Sequence, residues 1–214
     1  DVKVRLGLQP IPWCGTVEKA WGLRFVEKVL SDRKGLMKTA DDGLGVVGKI
    51  GNELSYHVVL SNGEGVSTES NQAKDLDILA TYKISEQAWL AGSYHASGTS
   101  TEETRYGLTG AVVLSPLLLG GEVIMARDGS TDKQGLSAFG TLTISDTLSL
   151  FGRADSYDPN TAVASDGDTY LVAGIANKFS AKFSGAINLR RAMPDSTSTV
   201  AASTALYVST EVNL

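Results

Sequence analysis

Gly152-Arg153-Ala154-Asp155-Ser156-Tyr157-Asp158-Pro159-Asn160 follows directly on an alternating oily and polar stretch at 147–151. A strand runs here into a segment rich in Asp, Asn, Gly and Ser, and the next strand starts at Asp168 and ends in a tight turn at Ser180-Ala181. The unit is strand, long polar loop, strand, tight turn. From Gly43 onward the chain reads as repetitions of it.

The first nine residues already alternate. Val2, Val4, Leu6 and Leu8 form one face and Lys3, Arg5, Gly7 and Gln9 the other, the period of a strand with one apolar side. Pro10 and Pro12 stop it. After residue 42 the same pattern returns, for example Leu54, Tyr56, Val58 and Leu60 against Ser55, His57, Val59 and Ser61, and Leu136, Ala138, Gly140 and Leu142 against Ser137, Phe139 and Thr141. About twelve strands result, most near the length of a tilted bilayer-spanning strand.

Two features favour a membrane barrel over a soluble sandwich. Tight turns at 51–52, 85–86, 115–116, 145–146 and 180–181 alternate with long connections at 10–42, 62–73, 97–103, 128–132, 158–167 and 194–199. Short turns on one rim and long loops on the other is the outer-membrane arrangement, whereas a Greek-key sandwich mixes loop lengths. The second feature is charge on the polar face: Lys3, Arg5, Lys49, Asp75, Asp77, Lys83, Arg105, Glu122, Arg153, Asp155, Lys182, Arg190 and Glu211. A dry core does not hold so many charges; a wet lumen does. The oily face then meets lipid, with Tyr56, Tyr82, Tyr94, Tyr106, Phe179 and Phe183 as girdle candidates. A soluble sandwich with these charges on its outer surface, binding carbohydrate, is the third-ranked alternative.

The bulk composition agrees. A formal net charge of −5 argues against nucleic acid as a partner. No apolar run reaches the roughly 18 residues of a spanning helix. The start at Asp1-Val2-Lys3-Val4 is already strand-like, so a mature or trimmed front is expected. The expected fold class is all-β: one domain over 1–214, an antiparallel up-and-down transmembrane β-barrel with both termini periplasmic and one short helix in a long loop.

Several short motifs resemble a known family. Arg5-Leu6-Gly7-Leu8-Gln9-Pro10-Ile11-Pro12, Arg24-Phe25-Val26-Glu27-Lys28, Asp42-Gly43-Leu44-Gly45-Val46 and Leu54-Ser55-Tyr56-His57-Val58-Val59-Leu60-Ser61-Asn62-Gly63 resemble elements of the phosphate-selective type of outer-membrane porin, as does the junction ending in Asp158-Pro159-Asn160. The resemblance implies an outer-membrane barrel, diffusive uptake of small solutes and commonly a trimer. The family's barrels have sixteen strands against about twelve here, and they usually end in an aromatic residue where this chain has Leu214. No dense Arg/Lys ladder matches position by position, so anion selectivity does not carry over.

The segment 13–42 is too long for an ordinary hairpin loop. Val17, Trp21, Phe25 and Val29 recur at helical spacing, predicting an amphipathic helix over 17–32. Folded into the lumen, it would bring Lys19, Arg24, Lys28, Arg33 and Lys34, with Glu18, Glu27 and Asp32, to a constriction. Packing on the rim or against a partner is the equally weighted alternative. His57 and His95 lack a third ligand at recognisable spacing and read as lumen lining rather than a metal site. Asp155, Asp158, Asn160, Asp166 and Asp168 do not have calcium-loop spacing. Cys14 lacks a second cysteine. No nucleophile stands with a base at any motif, so no enzyme, cofactor or metal is expected. The expected function is passive diffusion of small hydrophilic solutes or ions, with weak selectivity from the mixed charge. The alternative is a non-conducting scaffold barrel in a larger surface assembly. In either case the partner is the lipid bilayer of the outer membrane, with a homo-oligomer possible.

Overall fold

Period-two alternation becomes twelve antiparallel strands hydrogen-bonded strictly in chain order. They are β1 (Val2–Pro10), β2 (Ala40–Ile50), β3 (Leu54–Ser61), β4 (Asp75–Lys83), β5 (Ala88–Ala96), β6 (Glu103–Leu114), β7 (Leu117–Asp128), β8 (Thr131–Thr143), β9 (Leu148–Asp158), β10 (Asp168–Lys178), β11 (Phe183–Pro194) and β12 (Ser203–Val212). The computed structural model describes residues 1–99, 103–196 and 200–213. Parts of the expected loops at 97–103 and 194–199, and Leu214, lie outside the described residues.

The chain order makes an up-and-down sheet, and its side chains sort by register. Thr109, Glu122, Ser137, Asp155 and Tyr170 are successive cross-strand partners from β6 to β10, a polar row along the inner face. Their neighbours point outward: Leu108, Leu136, Leu171, Ile187 and Val208 are all exposed, as are Val2, Val4, Leu6 and Leu8 on β1. An apolar exterior with a polar interior inverts the soluble pattern and fits hydrocarbon outside and water inside. Tyr94 and Tyr106 touch across β5 and β6 near one rim, ring centroids 5.3 Å apart, and Phe179 stacks on Phe183 at the other, 5.1 Å apart. The sheet has the face pattern of a membrane-spanning barrel. β1 pairs with β2 and β12 with β11; hydrocarbon tolerates no open edge, so the outer edges of both strands need partners.

β9 continues through Arg153 and Asp155 to Asp158, where the expected long connection begins. Two expectations are corrected. The connection at 128–132 is a tight hairpin, with Asp128 directly opposite Thr131. Gly129-Ser130 form the two-residue loop, and glycine at its first position is a hairpin signal: Gly129 takes the left-handed φ of 59° required there. Salt bridges from Arg127 to Asp132 and from Lys133 to Asp128 cross the hairpin. One rim therefore carries long connections with a single short exception. Finally, the helix does not span 17–32. α1 runs Pro12–Trp21 and α2 is a single turn, Leu30–Arg33. Pro12 fits the first helical turn, and Gly22 ends α1 at φ 68°, donating its N–H to Glu18 O at 2.8 Å.

An outward position should reject charge. We predict that Leu108→Arg, midway along β6, destabilises the folded barrel by about 2–4 kcal/mol. Urea unfolding in lipid vesicles measures this, and an unchanged midpoint would place Leu108 away from lipid.

Candidate functional site

The connection between β1 and β2 leaves the long-loop rim and enters the concave side of the sheet. Its apolar content requires that. Trp13, Cys14, Val17, Ala20, Trp21, Leu23, Val26, Val29, Leu30, Leu36 and Met37 are all buried, too many for a solvated loop. They pack on an oily patch of the inner wall that includes Leu79, Ile124, Phe139, Phe151 and Val172. Trp21 meets Phe139 and Phe151 edge-on, with centroids 5.6 and 5.9 Å apart. Trp13 lies against Gly107, where a Cβ would come within 2.5 Å of its ring, so a larger side chain there would displace it. The C-terminal end of α1 reaches the short-turn rim, where residues 19–23 share a cleft with Val113, Pro116 and Thr143.

Polar contacts then fix the segment along its length. Asp155, wholly buried, accepts hydrogen bonds from Arg153 Nε at 2.8 Å, Arg153 Nη2 at 2.7 Å and Ser137 Oγ at 2.7 Å, and from Arg33 Nη2 of the segment at 3.1 Å. Glu122 Oε1 accepts from the Ser31 backbone N–H at 3.1 Å and from Trp13 Nε1 at 3.3 Å. Glu27 Oε2 accepts from Tyr170 Oη at 2.7 Å and Arg190 Nη1 at 2.8 Å. Arg105 Nε donates to Leu36 O at 3.0 Å, Lys38 pairs with Asp75 at 3.1 Å, and Lys34 pairs with Asp168. The Arg33 guanidinium also lies over the Tyr170 ring, 4.1 Å from its centroid. A surface ion pair is worth little; Arg33–Asp155 and Arg190–Glu27 are enclosed between segment and wall, where losing one partner leaves the other charge uncompensated.

The expected lumen residues therefore divide by role. Asp75, Arg105, Glu122, Arg153, Asp155 and Arg190 are on the inner face but are engaged by the segment or by one another. Lys3, Arg5 and Lys49 are inward and exposed, and make no ion pair among the described residues. Glu211 is inward on β12, opposite Ser184. Asp77 holds His95 Nδ1 at 2.9 Å. Lys83 ends β4 and pairs with Glu86 in the adjoining turn. Lys182 is a correction: it is exposed in the turn after β10, outside the lumen lining, because the strand ends at Lys178.

Of the constriction residues, Arg24 pairs with Glu18 and Asp32, and Lys28 with Asp32, within the segment itself. Glu27 and Arg33 bind the wall, and Lys19 stays exposed. The Asp-rich residues do not converge: Asp155 binds Arg33, Asp158 accepts from the Asn160 N–H at 3.0 Å, and Asp168 takes Lys34. Among the described residues no group of three or more His, Cys, Asp or Glu is arranged to hold a metal. Sequence reasoning missed the oily patch on the inner wall. Its signal was present: Ile124, Phe139, Phe151 and Val172 occupy the polar register, an interruption that a purely water-filled lumen does not explain.

Two predictions test the docked segment. Asp155→Ala leaves Arg153 and Arg33 facing a void, and should destabilise the folded protein by about 3–5 kcal/mol; unfolding midpoints comparable to wild type would remove Asp155 from its central place. Cys14 is enclosed, and burial pushes its thiol up from 9.0 to about 12. The protonated form is thus held at neutral pH. As pH rises past the ordinary value, the unfolded chain gains a thiolate that the folded chain refuses, so this contribution to stability declines with alkalinity. At pH 8 the folded protein should resist maleimide while the unfolded chain reacts, as followed by mass spectrometry; rapid labelling of the folded form would contradict the packing.

No protein-family model matches the chain, and no curated protein matches it in sequence. Solved structures do. The outer-membrane expressed OmpT of Vibrio cholerae superposes with a TM-score of 0.76 over 99% of this chain and 76% of its own, at 11% identity. An anion-selective porin from Comamonas acidovorans gives 0.71 over 98% and 72%, also at 11%. The trimer form of in-vitro folded OmpT gives 0.63 over 98% and 74%, at 12%. The chain shares their fold: the up-and-down β-barrel of bacterial outer-membrane proteins.

Proposed function

We propose that the protein is a passive outer-membrane channel for small hydrophilic solutes or ions, narrowed by the segment between β1 and β2. One observation carries this reading. Between α1 and the inner faces of β1 to β5 the segment leaves a cavity of about 620 Å³ lined by Arg5 and Lys19, which are exposed and make no ion pair among the described residues. Lone cations on an inner wall belong with water. The porin among the structural neighbours and the motif resemblance to phosphate-selective porins support the same reading, and the trimer among the neighbours is consistent with a homo-oligomer. Transport in this scheme is diffusive, with no catalytic step and no cofactor. A second reading, a non-conducting scaffold barrel, is favoured by one feature: the many ties from 13–38 to the inner wall.

Conductance separates the two. Purified full-length protein in planar bilayers should give discrete steps, and removal of residues 13–38 should enlarge them several-fold. Absence of any step in both proteins would leave the scaffold reading; steps of equal size would deny the segment its narrowing role.

A further inference from the structure

We propose that the outward face of β10, β11 and β12 carries a docking notch for one glycerophospholipid of the leaflet at the short-turn rim. The notch lies on the exterior of the sheet and does not depend on whether the lumen conducts.

Strand register creates it. On the outward face Ile175, Ile187 and Val208 form one cross-strand row, and the next row toward the short turns is Asn177, Gly185 and Thr210. Beyond that, Phe183 stands opposite Val212. A row with no side chain at its centre therefore lies between two bulky rows, each about 7 Å away along the strand. The space left is about 490 Å³. Phe179 closes the rim side, stacked on Phe183 with ring centroids 5.1 Å apart. A Cβ added at Gly185 would stand 3.0 Å from the Phe179 ring, so the floor is backbone and a larger side chain at 185 would fill the trough. Its apolar walls, Ile175, Phe179, Ile187 and Val208, are all exposed.

The middle row is also the polar one. Asn177 and Thr210 face outward, and neither side chain has a hydrogen-bond partner among the described residues. Hydrocarbon cannot satisfy an amide or a hydroxyl. The following row toward the membrane centre, Ala173, Leu189 and Leu206, holds no polar side chain. Both polar groups sit within two residues of their strand ends, at Lys178 and Val212, which is the depth of the glycerol and ester carbonyls of a bilayer lipid. The Asn177 amide and the Thr210 hydroxyl donate to those carbonyls. From there an acyl chain runs over Gly185 and along Ile187 and Val208 toward the membrane centre.

Charge completes the match. Lys182, in the turn directly before Phe183, is exposed and makes no ion pair among the described residues, which leaves its ammonium for the lipid phosphate. Glu211 does not compete, because it stands opposite Ser184 in the inward register. Short turns mark the periplasmic side of an outer-membrane barrel, so the lipid comes from that leaflet. A second copy of the chain is the competing occupant, but a notch confined to the ends of three strands is smaller than a stable protein contact needs.

Native mass spectrometry of the full chain, folded in detergent and titrated with phosphatidylglycerol, tests the site. One lipid adduct should saturate ahead of the statistical series of further adducts. Gly185→Leu should abolish that first adduct. Thr210→Val and Lys182→Gln, both at exposed positions, should each raise the half-saturating concentration, the lysine change by about tenfold for one charge-assisted hydrogen bond. Retained heat-modifiable gel migration verifies folding of each variant. Adducts that follow only the statistical series, or a first adduct retained in Gly185→Leu, would overturn the notch. Displacement of the lipid by lipopolysaccharide would overturn the choice of leaflet, and lipid-free oligomers that Gly185→Leu dissociates would assign the notch to a second copy instead.

Discussion

Hydrocarbon offers no hydrogen bonds, and everything else in this protein follows from that. Each backbone N–H and C=O crossing the membrane must find its partner on a neighbouring strand. The solution is a sheet in which each strand pairs with the next in sequence, reversed at tight turns on one side. Once the ladder is fixed, alternation assigns every side chain to lipid or lumen, and a slip of one residue would exchange the two sets. Leu136 outward and Ser137 inward are adjacent in sequence and face different solvents.

The lumen raises the opposite problem. An inner wall lined by Arg105, Glu122, Arg153 and Asp155 could remain hydrated, but here oily residues interrupt it. The segment between β1 and β2 resolves both features at once. Its tryptophans and leucines cover Ile124, Phe139 and Phe151, while its Arg33, Glu27 and Ser31 meet wall charges that its body desolvates. Neither half suffices alone: buried charge without a partner is costly, and apolar packing without the ion pairs would not fix which charge sits where. The result is an insert tied to the inner wall along its length, with a cavity beside α1.

The sequence shows its strands well because the signal is local and repeated. Strand count, chain order, inward charges and most turns follow from period-two alternation and turn residues. The Gly129-Ser130 hairpin reads in sequence as a long loop although its dipeptide is a hairpin signal, since the polar residues around it resemble the other loops. The helix reads too long in sequence because Val17, Trp21, Phe25 and Val29 keep helical spacing across Gly22; the left-handed glycine ends α1, and the burial of Val17, Trp21 and Val29, with Phe25 half-buried beside them, comes from docking rather than from one continuous stripe.

By itself the sequence determined a barrel with a wet inner face and a lipid-facing outer one, because that information lies in residues two apart on the same strand. Only the tertiary structure decided what the lumen contains. Whether Arg153 faces water or Asp155, and whether Arg5 is paired or free, depends on where a segment more than a hundred residues from Asp155 comes to rest. Such contacts leave no periodic mark, because charge pairing is a property of proximity in the fold. The polar stretch after Phe151 illustrates both limits: its alternation marked Arg153 and Asp155 as inward, and the arrival of Arg33 made them the anchor of the inserted segment.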